Sequence, residues 1–256
     1  MRHERDMLPE LRDFFIVHIA YGVARLIIPI CIYLKHSLRN LNLVRFIIPW
    51  IASNINPNRS SIKDEAPWIT FQARQWLEGF LSKNKNIEVF EYGSGGSTLF
   101  FSKKVRRLVS VEHDPAWFEV VDRILKEKKI LNCEYLLFES QLAPDGSLDF
   151  SDPESFASKE YPGGSFEAYV KSIDAFPDQG FDLIFIDGRA RPSCILHARN
   201  KVKPGGFIIL DNSERDYYSL GKELLSDWER MDFFGPGPYG RYFWQTSIWK
   251  RPQLST

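Results

Sequence analysis

The chain has few cysteines and no surplus charge of either sign, and each shortage narrows what it can be. Three cysteines in 256 residues, Cys31, Cys133 and Cys194, are odd in number and far apart. They make neither a disulfide framework nor a CxxC metal pattern, which points to a reducing compartment. Lys and Arg total 33, as do Asp and Glu. The basic excess that nucleic-acid binding requires is therefore missing, and no nucleic-acid partner is expected. Internal repeats and low-complexity tracts are also lacking. What remains is 44% hydrophobic and 26% charged, ordinary for a globular chain with one sizeable core and length left for an appendage.

That appendage lies at the start. Residues 14–34 are strongly apolar and long enough to span a bilayer, without the cleavage site of a secretory signal. Arg25 stands near the middle. On an insertion scale the apolar residues contribute about −5 kcal/mol and a central Arg costs about 3. His18, Gly22 and Pro29 offset most of the rest, so insertion nets near zero. His18, Gly22, Arg25, Pro29 and Tyr33 also recur at spacings of 4, 3, 4 and 4, one narrow helical stripe. Such a helix lies in a membrane interface or buries its apolar side against a partner, a second copy of the chain included. Basic residues flank both sides, so no orientation follows. Residues 43–51 form a second apolar stretch, interrupted by Arg45 and Pro49 and too short to span. Residues 1–58 are expected to be an apolar helical segment touching membrane through residues 14–51. The other reading packs it on the rest of the chain.

Residues 53–61, rich in Asn, Pro and Ser, read as a linker, and residues 59–256 as the main domain. An amphipathic helix is expected over 67–81. Strand-length apolar runs follow at 87–92, 108–112, 134–138, 181–187 and 207–211, with helical patterns between them at 98–104, 115–128, 166–175 and 193–202. This alternation predicts a doubly wound α/β domain with a mostly parallel sheet. The run at 181–187 is almost continuously apolar, as a central strand should be. Residues 231–234 and 242–249, separated by a Gly- and Pro-rich turn, predict a closing antiparallel hairpin.

The first strand ends in Glu91-Tyr92-Gly93-Ser94-Gly95-Gly96-Ser97-Thr98 and enters a helix. Glycines there let a ligand approach the backbone, and the helix start favours an anionic group. Glu91 would repel a pyrophosphate and welcome a cation, and Thr98 stands where a dinucleotide fingerprint has its third glycine. Glu112 ends the second strand, placed to accept hydrogen bonds from ribose hydroxyls. Asp114-Pro115 beside it reads as a helix start, and His113 as a loop residue beside the same site. Asp187 ends the next predicted site strand. There it either caps the following helix, pairs with Arg189, or faces a ligand at the switch point of the sheet.

Glu91-x-Gly93-x-Gly95, Glu112, Asp187 and Lys203-Pro-Gly-Gly206, in this order and with the terminal hairpin, resemble the class I S-adenosylmethionine-dependent methyltransferases. The resemblance runs from about Pro67 to the C-terminus. It implies a seven-stranded sheet and an S-adenosylmethionine site made by Glu91, Gly93, Gly95, Ser97, Glu112, His113 and Asp187. The glycine turn would hold the methionine part, and residues near Glu139 would flank the adenine. Asp187 with Asp211 and Asn212 also resembles the three-ligand set of catechol-type O-methyltransferases, which implies Mg2+. Arg189 and Arg191 oppose a cation there, and without one they could clamp an acidic acceptor. Residues 141–164, acidic and rich in Pro, Gly and Ser, read as a lid or as a solvated face, and Trp68, Tyr217 and Tyr218 either lie near the same opening or pack in the core and rim.

The expected function is methyl transfer to an oxygen of a small-molecule, sugar or lipid-like acceptor, with Asp187 as the catalytic residue. The catalytic domain would be cytoplasmic, facing the cytosol where the cofactor is. The competing reading is a membrane-tethered, non-catalytic binding or scaffold protein that keeps the fold. A nicotinamide-dependent oxidoreductase is disfavoured by Glu91, Thr98 and the hairpin.

Overall fold

In a computed structural model, residues 30, 31, 33–35, 40–143 and 148–253 are described. A 3-10 turn, Leu41–Phe46, leads into helix α1, Ile47–Ile55, and a short helix α2, Ser61–Asp64, follows. Then come α3 (Phe71–Lys83), β1 (Glu88–Tyr92), α4 (Gly96–Ser102), β2 (Arg107–Glu112), α5 (Pro115–Glu127) and β3 (Cys133–Leu137). A two-residue ladder of β4 (Gln141–Leu142) with β5 (Gly164–Ser165) precedes α6 (Glu167–Lys171) and β6 (Phe181–Ile186). Finally there are α7 (Arg191–Ala198), β7 (Val202–Asp211), α8 (Ser219–Glu223), β8 (Glu229–Pro236) and β9 (Phe243–Lys250).

The main sheet has seven strands in the order β3-β2-β1-β6-β7-β9-β8. All neighbours from β3 to β7 run parallel, while β9 is antiparallel to both β7 and β8. Alternating side chains of each strand serve opposite faces. On one face Phe90, Tyr92, Ile184, Ile186, Ile208 and Leu210 pack with Tyr169, Val170, Cys194 and Ile195 of α6 and α7. On the other, Val89, Leu108, Phe185 and Ile209 meet Ala73 and Leu77 of α3 and Phe100 and Phe101 of α4. Burial on both faces is why these strands read as apolar runs, and β6 lies centrally as its sequence predicted.

Two expectations shift. Lys203-Pro-Gly-Gly206 does not precede its strand but lies inside β7, where the pairing to β6 slips between Phe181 and Leu183. Pro204 has no N–H for the ladder, and a slip accommodates it. The stretch 53–61 is not a plain linker either. Helix α1 reaches Ile55, and the Ser60 side chain accepts from the Lys63 N–H to start α2.

The second apolar stretch docks on the hairpin. The Trp50 indole donates to the Gly240 carbonyl at 2.9 Å, and its ring packs on Tyr33 with centroids 5.0 Å apart. Tyr33 meets Phe243 edge-on, and Phe46 stacks on Phe71. Opposite this buried side, Leu41 (74% exposed), Val44 (46%), Ile48 (76%) and Ile55 (52%) remain open. Among the described residues no helix is long and apolar enough to cross a membrane. The apolar run 14–29 and the stripe from His18 to Pro29 lie outside the described residues.

Docking by Trp50 makes this segment part of the folded unit. Trp50→Ala should lower unfolding stability by about 3–5 kcal/mol, whereas Ile48→Ala should change it by less than about 0.5. Urea midpoints of the two variants check this, and equal midpoints would contradict it.

Candidate functional site

A cleft of about 640 Å³ opens where β1, β2, β6 and β7 end, a size typical of small-molecule sites. Its floor is the turn after β1. Gly93 has φ +91°, and a Cβ there would lie 2.6 Å from the Gly188 Cα, so only glycine lets the ends of β1 and β6 touch. Gly96 is pinned from outside, because a Cβ would meet the Ser61 carbonyl oxygen of α2 at 2.1 Å.

Beneath the turn lies Glu91, fully buried. Its Oε2 accepts from Thr98 Oγ1 and from Ser110 Oγ, each at 2.6 Å. Thr98 Oγ1 in turn accepts from the Gly95 N–H at 2.9 Å. Glu91 is therefore corrected from a lining residue to the support of the turn: it does not reach the cleft. Strand alternation turns it to the same face as Val89, under α4, opposite its register partner Ser110. Its Oε1 is buried without a hydrogen-bond partner. Burial pushes this carboxyl up to about 7, although hydroxyls of Ser110, Ser97 and Thr98 pull the other way.

Glu112 does line the cleft. Its Oε2 accepts from the Ser94 N–H (3.0 Å) and Oγ (2.7 Å), and its Oε1 from the N–H groups of His113 (2.8 Å) and Asp114 (3.0 Å). Burial alone would raise its pKa, but the His113 side chain and these hydrogen bonds outweigh it and hold the carboxyl down at about 2. The His113 Nδ1 is 2.7 Å from Glu112 Oε1 without hydrogen-bond alignment, and Nε2 is buried with no partner. The His113 ring sits edge-on against Tyr161 and Phe166. Asp114 caps α5 as expected, accepting from the Ala116 and Trp117 N–H groups.

Gly93, Gly95, Ser97, Glu112, His113, Asp187, Asp211 and Asn212 all border the one cleft. The last three meet around a guanidinium. Arg191, 7% exposed, puts Nη2 3.0 Å from Asp187 Oδ1 and Nη1 3.4 Å from Asn212 Oδ1, and Nη1 also donates to the Asp211 carbonyl. The Asp211 Oδ1 turns away to accept from Trp244 Nε1 (2.9 Å) and Thr246 Oγ1 (2.6 Å). No group of three His, Cys, Asp or Glu able to hold a metal occurs among the described residues. The Mg2+ set of Asp187, Asp211 and Asn212 thus does not fit a metal here, because a fixed cation already lies among its oxygens. Burial and the nearby Asp187 charge push Asp211 up to about 8, against Arg191 and the two side-chain donors.

Sequence reasoning missed much of the wall. Trp117 donates its indole N–H to the Ser94 carbonyl at 3.0 Å, while Tyr239, Tyr242 and Trp244 line the far side with Trp68, the one ring among them that the sequence places near the opening. Trp117 was legible only as part of a helix start, and the hairpin turn carried no ligand signal. Glu139, Tyr217 and Tyr218 do not line the cleft. Arg189 packs over the Tyr161 ring, 5.0 Å from its centroid, and Glu160 pairs with Arg215 at 3.0 Å.

Neither a protein-family model nor a curated protein matches this sequence. Solved structures do match in shape. An O-methyltransferase from Bacillus cereus, in complex with S-adenosylhomocysteine, shares 15% identity at TM-score 0.53, covering 79% of this chain and 96% of its own. The O-methyltransferase TomG of Streptomyces achromogenes, involved in tomaymycin synthesis and bound to S-adenosylmethionine, shares 15% at 0.53, covering 82% and 98%. A putative O-methyltransferase from Klebsiella pneumoniae shares 16% at 0.55, covering 86% and 99%. The fold is that of the class I methyltransferases.

Buried Glu91 gives ligand-free stability a defined pH dependence. Unfolded, it ionises near pH 4.5, and folded near 7. Across that window the folded chain holds a proton that the unfolded chain has lost, so this contribution falls as pH rises and stays low above 7. Glu91→Gln should remove it. The variant's stability relative to wild type should improve by about 3 kcal/mol between pH 4.5 and 8. Denaturant melts at both pH values check this, and a constant difference would refute it.

Proposed function

We propose that this protein is an S-adenosylmethionine-dependent methyltransferase acting on an oxygen of a small-molecule, sugar or lipid-like acceptor, in the cytosol where the cofactor is made. The observation that carries it is the pair of acids at the glycine turn. Glu112 is ionised in the cleft and Glu91 lies directly beneath. The Glu112 charge disfavours a pyrophosphate and favours a ligand carrying positive charge, and Glu91 braces the turn that would receive it. The open turn at Gly93–Gly95, the Trp117 wall and the cleft's volume suit a nucleoside joined to an amino acid. When bound, the cofactor supplies an electrophilic methyl group on a sulfonium. Glu112 would hold the ribose, and the turn the methionine end, with Ser97 and His113 alongside. All three neighbours described above carry O-methyltransferase names.

At the opposite wall the acceptor hydroxyl needs a group to take its proton. Asp187 and Asp211 both reach the cleft. Asp187, paired to Arg191, orients the acceptor. Asp211, whose carboxyl titrates near 8, exchanges a proton readily close to neutral pH. The aromatic rim of Trp68, Tyr161, Tyr239 and Tyr242 suits an apolar acceptor. A second reading, contact with a membrane, is supported by the open face of Leu41, Val44, Ile48 and Ile55. That face is carried by a helix that docks on Gly240, next to the cleft-lining Tyr239 and Tyr242. The same face would also serve a membrane-tethered protein without catalysis, which cofactor turnover distinguishes.

Calorimetric titration should show S-adenosylmethionine binding and no NAD binding, and Glu112→Ala should weaken the former at least about tenfold. Absence of S-adenosylmethionine binding at millimolar concentration would end this reading. For the membrane, Ile48→Glu should release the full-length protein from anionic vesicles in a flotation assay. Wild-type protein that never floats would end that part.

A further inference from the structure

The cluster at the ends of β6 and β7 is assembled around a cation that the chain supplies itself. Five oxygens converge on the Arg191 guanidinium. They are the main-chain carbonyls of Gly188 (3.0 Å), Asp187 (2.9 Å) and Asp211, the Asn212 Oδ1 (3.4 Å) and the Asp187 Oδ1 (3.0 Å). A guanidinium has five N–H donors and no acceptor, and here four hydrogen bonds and the ion pair to Asp187 Oδ1 engage all three of its nitrogens. Carbonyls, a side-chain amide and a carboxylate are equally the donors that a hard divalent cation selects. One such cage cannot hold both.

The backbone is bent to make it. Ala190 (φ 47°) and Asn212 (φ 51°) both adopt left-handed conformations, one just before Arg191 and one just after β7. These two turns bring a loop from each strand end onto the same guanidinium. Positive φ at a non-glycine residue costs energy and persists where the surroundings enforce it. Here the four hydrogen bonds and the Asp187 ion pair do so.

We infer that Arg191 occupies a cation seat in this cleft, so that the site works without a divalent metal and the guanidinium supplies the fixed positive charge that steadies an acceptor oxygen as its proton leaves. The second half rests on the methyl-transfer reading; the first does not. Buried among these oxygens, Arg191 acts through its charge and by holding Asp187 and the Asp211–Asn212 turn in place. It is a positioning residue rather than a catalytic one.

Mn2+ serves as the probe, read by loss of the free-ion electron paramagnetic resonance signal and by the thermal midpoint of the full chain. Wild-type protein should leave the signal unchanged up to millimolar Mn2+, with a midpoint indifferent to Mn2+ and to chelator. Arg191→Ser empties the seat. It should bind one Mn2+ per chain at least tenfold more tightly than wild type and gain thermal stability from it. Arg191→Lys, which keeps a cation there, should gain neither. Stoichiometric Mn2+ binding by wild type at micromolar concentration overturns the inference, as does a folded Arg191→Ser variant that binds no better than wild type. If Arg191→Ser does not fold, the wild-type titration alone decides. A failed S-adenosylmethionine titration would remove the acceptor half and leave the metal result standing.

Discussion

One buried guanidinium ties together the two central strands on which the cleft is hung. Arg191 stands at the first position of α7 yet bonds to groups at the end of both β6 and β7. Burying such a charge unpaired would be prohibitive, and burying it with one partner would leave donors unsatisfied. The chain meets this constraint by turning three main-chain carbonyls and two side-chain oxygens inward. Much else follows. Asp187 is fixed at the cleft wall, Asn212 is forced into a left-handed turn, and Asp211 is left to find other donors in Trp244 and Thr246 on β9. The antiparallel strand thereby becomes part of the site: its Trp244 both lines the cleft and restrains the carboxylate.

At the other end of the cleft a buried carboxyl plays the corresponding part. Glu91 lies under the glycine turn, and its hydrogen bonds run through Thr98 to the Gly95 N–H. The turn is thus shaped from below by a carboxylate and from outside by α2, whose Ser61 carbonyl leaves no room for a Cβ at Gly96. Glu112 then presents an ionised carboxylate directly in the cleft. The two walls differ in kind: an ionised acid beside the turn, and across from it a guanidinium paired with Asp187. That polarity suits a positively charged donor on one side and an acceptor gaining negative charge on the other.

The layering was legible because short-range rules govern it. Alternating strands and helices, the apolar run of β6 and the turn between β8 and β9 each follow from local pattern, and they yield the seven-stranded order observed. Gly93, Gly95, Glu112 and Asp187 were legible as well, since strand ends place them together. Glu91 shows how residue type and orientation part company. Its sequence position was right, but period-two alternation carries its side chain beneath α4 rather than into the cleft. That rule could have been applied to the sequence alone.

Arg191 was visible as a charge beside Asp187, but what it does there depends on contacts to residues 20 and 21 positions away and on two left-handed turns. No periodicity encodes those. The same holds for Tyr239 and Tyr242, which meet Trp68 at one rim from a distant part of the chain. It holds again for Trp50, whose indole joins residues separated by 190 positions. Because Trp50 is anchored to Gly240, the apolar face of α1 is held at a fixed place relative to the hairpin loop that forms the cleft's rim. The cleft's rim and the open apolar face of α1 therefore lie on adjoining elements, joined through a single buried indole.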